Sequence, residues 1–267
     1  MQGFALTNTM GDTVALDGNG KTLPHQVMPT TEKVTVPTAA EEREAANRVD
    51  ANGWTPLMRA VYKGDLQVQK KKRTALLYTH SPILCSHHVE QVSLELIKAG
   101  ANLEAQISSG HTALMLAAQK GHEQCLLELL KAGAAFDKQG PEDWTALMFA
   151  ADSGHERCVL ELIKVGAAID ATDKTGCTAL IHTALNGHER CLLEILKAGA
   201  AIDQTEEDGW TALMFAARNG HEQCVRALIE KSAHKHAKTK DGHTALDIAR
   251  AHGHTLICKL LTWYMHE

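Results

Sequence analysis

Apolar and polar residues follow one another along most of the chain with the spacing of short amphipathic helices. In the stretch that begins at Thr112, the apolar residues Leu114, Ala117 and Ala118 recur at helical spacing, and the stretch ends near Gly121. The next stretch, "CLLELLKAGAA", carries its apolar residues in a second helical stripe. Polar segments with turn residues, such as "TDKTG", separate these pairs. The pattern predicts a unit of helix, turn, helix and turn.

The predicted unit recurs at a fixed interval. The string Thr-Ala-Leu occurs five times at steps of 33 residues, and a sixth copy, "TPLM", begins at Thr55. The five regular copies begin at Thr112, Thr145, Thr178, Thr211 and Thr244. Helices this short are not stable alone in water. Each copy must bury its apolar faces against the next copy, so we expect the copies to stack into a solenoid.

The sequence of the unit matches a known pattern. Runs such as "GHTALMLAAQKGHEQCLLELLKAGA" and "GCTALIHTALNGHERCLLEILKAGA" combine Thr-Ala-Leu, a helical Ala-rich stretch, Gly-His and Ala-Gly-Ala. This unit resembles the ankyrin repeat, from about Asp50 to Leu261. The resemblance implies an all-α ankyrin-repeat solenoid, in which pairs of antiparallel helices carry β-turn fingers at right angles. It also implies a concave face that usually binds another protein.

Some positions depart from the family pattern. Asp143 stands where the finger usually has glycine. Ser232 replaces the glycine that follows the second helix of the fifth repeat, so we expect a looser turn there. The histidine that the family places after Thr-Pro-Leu is methionine at Met58, Met115, Met148 and Met214.

The first repeat is interrupted. Thr55 and Thr112 are 57 residues apart, which is 24 more than the period. The surplus lies within about residues 66–91, near "LQVQKKKRTALLYTHSPILCSHHV". One interpretation is a surface loop, whose "KKKR" would be a basic localisation patch. The other, which we favour, is an in-frame retained intron in the gene model. Cys85, His87 and His88 lack a fourth metal ligand, and we assign them no function.

The two ends do not follow the repeat pattern. Residues 1–37 are rich in Thr, Gly and Asp and show no period, so we expect them to be disordered or loosely packed. Thr38 and Glu41 have the spacing of a capping box and predict a short helix that covers the first repeat. We assign residues 38–267 to the ankyrin repeat domain and treat the sixth repeat as truncated.

A Gly-His-Glu-x-Cys motif occurs four times, and its cysteines are Cys125, Cys158, Cys191 and Cys224. Helices in contact lie about 8–10 Å apart, which is too far for a disulfide between neighbouring copies or for a shared zinc ion. We therefore expect the cysteines to act as small buried hydrophobic residues. We expect each histidine to satisfy backbone groups at the start of its own helix. No metal or cofactor is assigned.

Composition narrows the class of protein. The chain has 267 residues, of which 44% are hydrophobic, and its formal net charge is −5, so nothing favours nucleic acid as a partner. No apolar stretch is long enough to span a membrane. Seven cysteines without an export signal suggest a reducing compartment. We expect a cytoplasmic monomer, or a nuclear one if the "KKKR" insert is genuine.

Two columns of variable residues are the candidate binding positions. The first column precedes each repeat's threonine, where the family resemblance places a finger that faces the groove. Its members are Trp54, His111, Trp144, Cys177, Trp210 and His243. The second column lies near the end of each first helix and comprises Tyr62, Gln119, Asp152, Leu185 and Arg218. Trp, Tyr and Arg are frequent interface anchors, but the tryptophans are equally explained by packing of finger on finger.

These observations favour a non-enzymatic scaffold or adaptor that binds another protein through the concave groove. The sequence contains no Gly-rich phosphate loop and no nucleophile elbow. One alternative is a Cys/His redox- or metal-responsive protein. Another is the repeat region of a larger enzyme or channel.

Overall fold

The computed structural model describes residues 5–7, 13–15, 38–63 and 89–264. The chain divides into two units, Met1–Pro37 and Thr38–Glu267. In the first unit, strands Ala5–Thr7 and Thr13–Ala15 pair antiparallel, with Leu6 opposite Val14. The remainder of that unit lies outside the described residues, so the disorder expected for residues 1–37 stays a prediction there.

The second unit begins with the predicted capping box. Helix Ala39–Asn47 follows Thr38, whose Oγ1 accepts from the Glu41 backbone N–H, while the Glu41 carboxylate accepts from the Thr38 backbone N–H at 2.7 Å. Asn47 joins this helix to the first repeat, because its amide donates to the carbonyl of Gly100 at 3.1 Å. The helix therefore covers the first repeat, as its sequence predicts.

Each of the six repeats contributes two helices. The first helices are Pro56–Lys63, Ala113–Lys120, Ala146–Asp152, Ala179–Asn186, Ala212–Asn219 and Ala245–Ala251. The second helices are Val89–Lys98, Glu123–Lys131, Glu156–Lys164, Glu189–Lys197, Glu222–Glu230 and Thr255–Tyr264. First helices contact first helices, and second helices contact second helices, from one repeat to the next. The repeat domain is thus an all-α solenoid. None of its described helices is both long and apolar enough to cross a bilayer.

The repeated threonines start the first helices. Thr112 has extended backbone, and its Oγ1 accepts from the Met115 N–H at 3.3 Å, which satisfies one of the free donors at the helix start. The methionine that replaces the family's histidine is buried, and its sulfur lies 3.4 Å from the Thr112 backbone nitrogen, a weak acceptor for that N–H. The substitution thus retains a polar contact at the helix start.

The core is formed by the predicted stripes of both helices. Leu114, Ala117 and Ala118 in the second repeat are at most 1% exposed, as are Leu126 and Leu129. The four repeated cysteines are buried within this core. The sixth repeat follows the same plan, since Ile257 and Leu261 of its second helix are buried and Trp263 is 58% exposed. The stripe residues are therefore on the faces that the sequence predicts.

Three of the four motif histidines, His155, His188 and His221, have a different role from the expected one. His188 does not cap its own helix. Its Nε2 donates to the carbonyl of Asp152, at the end of the first helix of the preceding repeat, at 2.9 Å. His155, His221 and His254 make the corresponding bonds to residues 36 positions earlier. A Cβ on Gly154 would come within 2.5 Å of the His188 ring, so this glycine leaves room for the bond.

The fifth repeat keeps its turn without glycine. Ser232 adopts φ 67°, in the left-handed region, and its N–H donates to Ile229 at 2.9 Å, as the N–H of Gly199 donates to Leu196 at 3.1 Å. The looser turn expected at Ser232 is therefore wrong. Asp143, in the finger of the third repeat, likewise takes the left-handed conformation with φ 63°. Both positions retain the conformation that glycine adopts most easily.

A left-handed serine costs stability, since L-residues pay about 1–2 kcal/mol there. Ser232→Gly is expected to raise the free energy of unfolding by about 1 kcal/mol, measured by urea denaturation. The matched control is Gly199→Ser, where φ is 93° and a Cβ would meet no atom within 4 Å. It should lower stability by a similar amount. Equal midpoints for the two variants would contradict this account.

The insert is only partly described. Residues 64–88 lie outside the described part of the chain, and with them Cys85, His87 and His88. The second helix of the first repeat begins at Val89, which falls within the predicted insert of about 66–91. Either origin of the surplus residues is compatible with this helix, and the choice between loop and retained intron stays open.

Candidate protein-binding face

The two predicted columns lie beside each other on the side of the solenoid that carries the fingers and first helices. We call this surface the groove face. It comprises Trp54, Tyr62, His111, Gln119, Trp144, Asp152, Cys177, Leu185, Trp210, Arg218 and His243.

The first column sits at the base of the fingers. The carbonyl of Trp144 accepts from the Gly140 N–H at 2.8 Å, and the carbonyls of the other five column members accept equivalent bonds across their fingers. Neighbouring fingers are also linked, since Lys174 N–H donates to Glu142 and Glu207 N–H to Thr175, each at 3.0 Å. Pro141 occupies the corresponding donor position in the third finger and has no N–H to give. The predicted fingers are therefore present, and their backbones fix the column.

Ring contacts join the fingers to the first helices. The centroid of the Trp144 ring lies 5.0 Å from Phe149 in its own repeat and 4.3 Å from His182 in the next. Trp210 lies 5.2 Å from Phe215. Trp144 and Trp210 are half-buried and packed against the core. The tryptophans thus pack within the fold and still present part of their surface.

The ring contacts involve a third column of variable residues, which was not among the predicted binding positions. It stands four residues after each threonine and contains Arg59, Leu116, Phe149, His182, Phe215 and Ile248. These residues differ between repeats as much as the two predicted columns do, so the same argument from variability applies to them. Phe149 packs against Trp144, and Phe215 packs against Trp210.

The second column occupies the ends of the first helices. Tyr62 is 42% exposed, and Lys120 of the next repeat lies over its ring at 4.6 Å. Arg218 lies over the Trp210 ring at 5.4 Å. Gln119 and Leu185 are half-buried, and their carbonyls accept from the histidines of the next repeat. These residues therefore have fixed backbones and partly accessible side chains, which suits a preorganised surface.

A polar cluster occupies the middle of the groove face. Asp173, which is buried, accepts on one oxygen from Thr175 and from the Cys177 N–H, and on the other from His182 Nε2 at 3.0 Å. Burial alone would raise the pKa of Asp173, but the hydrogen bonds from Thr175, Cys177 and His182 outweigh it and lower the pKa. Asp173 is therefore held ionised, and it fixes both the finger and the His182 ring.

Negative charge surrounds this cluster. The finger tips at 140–144, 173–177 and 206–210 carry one lysine and six carboxylates, of which Asp173 is one. That lysine, Lys174, already pairs with Glu142 at 3.3 Å. Among the described residues, the centre of the groove face is thus acidic, with Trp144 and Trp210 beside it.

Cys158, Cys191 and Cys224 are poor candidates for redox chemistry. Burial, with smaller contributions from Glu123 and other neighbours, raises the pKa of Cys158 to about 12. Burial and nearby glutamates raise the pKa of Cys191 and Cys224 to about 11. Because the thiolate is the reactive form, these thiols are inert in the folded protein.

Alkylation of these three buried thiols should therefore require the protein to unfold, at least locally. With iodoacetamide at pH 8, Cys158, Cys191 and Cys224 are expected to label only at the rate at which the protein opens, while half-buried Cys177 and Cys258 label sooner. Peptide mapping by mass spectrometry measures each site. Adding urea is the control, because it should make all the rates similar. Fast labelling of the three buried thiols without urea would revive the redox alternative.

The outer face carries ion pairs between residues three apart in the second helices. Lys131–Glu128 and Lys164–Glu161 are joined at 3.2 Å and 2.6 Å. The glutamate side chains are 24% and 21% exposed, so they are only partly open to solvent.

Comparison with protein-family models identifies the class. The model described as ankyrin repeats in three copies matches residues 83–173, 128–206 and 180–266. The matches cover well over half of the chain, and the protein belongs to the ankyrin repeat family. Such domains are generally non-catalytic modules for protein–protein interaction. A search of curated proteins found no match.

Proposed function

We propose that this chain is a non-enzymatic scaffold or adaptor that binds another protein through the groove face. One observation carries the proposal: half-buried aromatic rings and variable polar side chains lie together on backbones fixed by the fingers and the histidine bonds. A rigid aromatic surface loses little conformational entropy when a partner docks on it. The framework thus holds the fold, and the variable columns supply recognition.

The proposal includes a cytoplasmic, monomeric protein without catalytic activity. Free cysteines at six described positions support a reducing compartment. Fractionation of cells and light scattering of the purified chain test these two points. The described structure is equally that of a repeat region within a larger enzyme or channel, and a full-length transcript decides between these.

The binding test replaces the aromatic anchors. A pull-down with the full chain identifies the partner, and titration by calorimetry then measures its affinity for Trp144→Ala and Trp210→Ala. Each substitution is expected to weaken binding by more than about 1 kcal/mol, because it removes a large ring from the interface. Helical content, measured by circular dichroism, is expected to stay unchanged.

The matched control is Trp263→Ala. Trp263 is 58% exposed on the second helix of the sixth repeat, away from the groove face, so its loss should leave the affinity unchanged. Equal affinities for all three variants would show that the partner binds elsewhere. If the groove variants unfold, Trp144→Phe and Trp210→Phe keep the packing and test the contact alone.

A further inference from the structure

A buried histidine nitrogen in the middle of the groove face lacks a hydrogen-bond partner. The His182 side chain is 6% exposed, and its Nε2 lies 3.0 Å from Asp173 Oδ2. A carboxylate only accepts, so Nε2 carries a proton, and Nδ1 presents a lone pair when that proton is the only one on the ring. Nδ1 has no hydrogen-bond partner among the described residues. Buried polar atoms are normally paired, so this one requires an explanation.

The nitrogen faces a second acceptor. Asp152 Oδ1 lies 3.8 Å from His182 Nδ1, which is too far for a hydrogen bond. The Asp152 side chain is 38% exposed on the groove face. Its Oδ1 accepts from the amide of exposed Asn186 at 2.7 Å. Two acceptors therefore converge on one place, and a single donor group could serve both.

The surroundings of this acceptor pair favour a cation. Six carboxylates and a single, already paired lysine lie on the three nearest finger tips. The Trp144 ring packs against His182 at 4.3 Å. Arg218 lies over Trp210 and Lys120 over Tyr62, whereas no cation from the described part of the chain lies over Trp144. Trp144 packs against Phe149 and His182 but is only half-buried, so part of its surface is accessible to a cation from outside.

We propose that Asp152, His182 and Trp144 bind a lysine or arginine side chain of the protein partner. The inference rests on the proposed function and adds the chemistry of the partner. The ammonium or guanidinium group displaces the Asn186 amide, donates to Asp152 Oδ1 and His182 Nδ1, and lies against the Trp144 ring. Asp173 acts on the site through His182, because its hydrogen bond keeps Nδ1 free to accept.

The test uses the full chain labelled with ¹⁵N at histidine. The probe is a nine-residue Gly/Ser peptide with one central arginine, and a matched peptide carries citrulline, which keeps the shape without the charge. At physiological ionic strength the arginine peptide is expected to bind about tenfold more tightly. It should also move the ¹⁵N resonance of His182 Nδ1 toward that of a nitrogen that accepts a hydrogen bond.

Two variants locate the effect. Asp152→Asn is expected to lose about tenfold in affinity for the arginine peptide, with no movement of the Nδ1 resonance. Glu230→Gln removes the same charge from an exposed position on the second helix of the fifth repeat and should bind like the wild type. Equal affinity for the two peptides, an unmoved Nδ1 resonance at saturation, or unchanged affinity of Asp152→Asn would overturn the proposal. So would a doubly protonated His182 in the free protein at neutral pH.

The natural partner separates this inference from the proposed function. If Trp144→Ala and Trp210→Ala lose the partner and Asp152→Asn keeps it, the groove face binds the partner, but the proposal that Asp152 recognises a basic side chain is wrong. If all three lose the partner while Glu230→Gln keeps it, both proposals are supported.

Discussion

Replacing Leu162 by alanine is expected to lower the free energy of unfolding by about 2–5 kcal/mol. Leu162 lies in the second helix of the third repeat and is 0% exposed, so the substitution removes buried methyl groups and leaves a cavity. Leu129 occupies the same position one repeat earlier and should behave alike. The loss is a large part of the roughly 5–15 kcal/mol that stabilises a typical domain. Denaturant unfolding measures it.

The matched control for Leu162→Ala is Leu256→Ala. Leu256 also lies in a second helix, but it is 54% exposed, so the same change should cost no more than about 0.5 kcal/mol. A similar shift in the midpoint for both variants would mean that the second-helix stripe contributes little to stability. Because repeats couple to their neighbours, the loss at Leu162 should also loosen the adjacent repeats, which hydrogen exchange detects.

The fold could be predicted from the sequence because the same residues mark the start of the helices in every repeat. Thr112 and its copies mark the helix starts, and Cys125 stands at the same place in the stripe as Cys158, so one correct assignment fixed the others. The finger residues came from the resemblance to the ankyrin repeat. The helix predictions required only local rules: helical spacing, caps and the need to bury an apolar face.

Contacts between repeats could not be predicted from local rules. His188 stands at the start of a helix, where sequence reasoning expects a cap, yet its ring reaches the Asp152 carbonyl of the preceding repeat. Such a bond depends on how far one repeat is rotated against the next, and no spacing within a single repeat encodes that rotation. Ser232 shows the opposite case. Its neighbours impose a left-handed turn that the residue itself disfavours.

The candidate site was predicted in part. The columns through Trp144 and Asp152 came from variability between copies, and the structure brings them to one face. His182 was not predicted as a site residue, because its two acidic neighbours come from different repeats and are 9 and 30 positions away. The polar cluster exists only where the third and fourth repeats meet. Whether these side chains bind a partner stays a proposal.

Replacing Asp173 by alanine is expected to cost about 3 kcal/mol, nearly as much as a core leucine. The carboxylate accepts from the backbone N–H groups of Thr175 and Cys177 and from the buried His182 ring. Its loss leaves these donors unpaired in the interior, and an unsatisfied buried group costs about 1–3 kcal/mol. The finger should also lose its fixed shape, which hydrogen exchange at residues 173–177 reports.

The matched control for Asp173→Ala is Asp170→Ala, since Asp170 is exposed and accepts from the Ala201 N–H at 2.9 Å. It should cost about 1 kcal/mol.

The pH dependence of stability supplies the second test. The pKa of Asp173 is lower in the folded protein than its ordinary value, so the stability that it contributes is complete above about pH 4 and is lost as the pH falls through the folded pKa. The gap between wild type and Asp173→Ala should therefore be constant from pH 5 to 7 and narrow below about pH 4. A gap that stays constant down to about pH 2, measured by urea unfolding, would show that the carboxylate charge has no part in holding the finger.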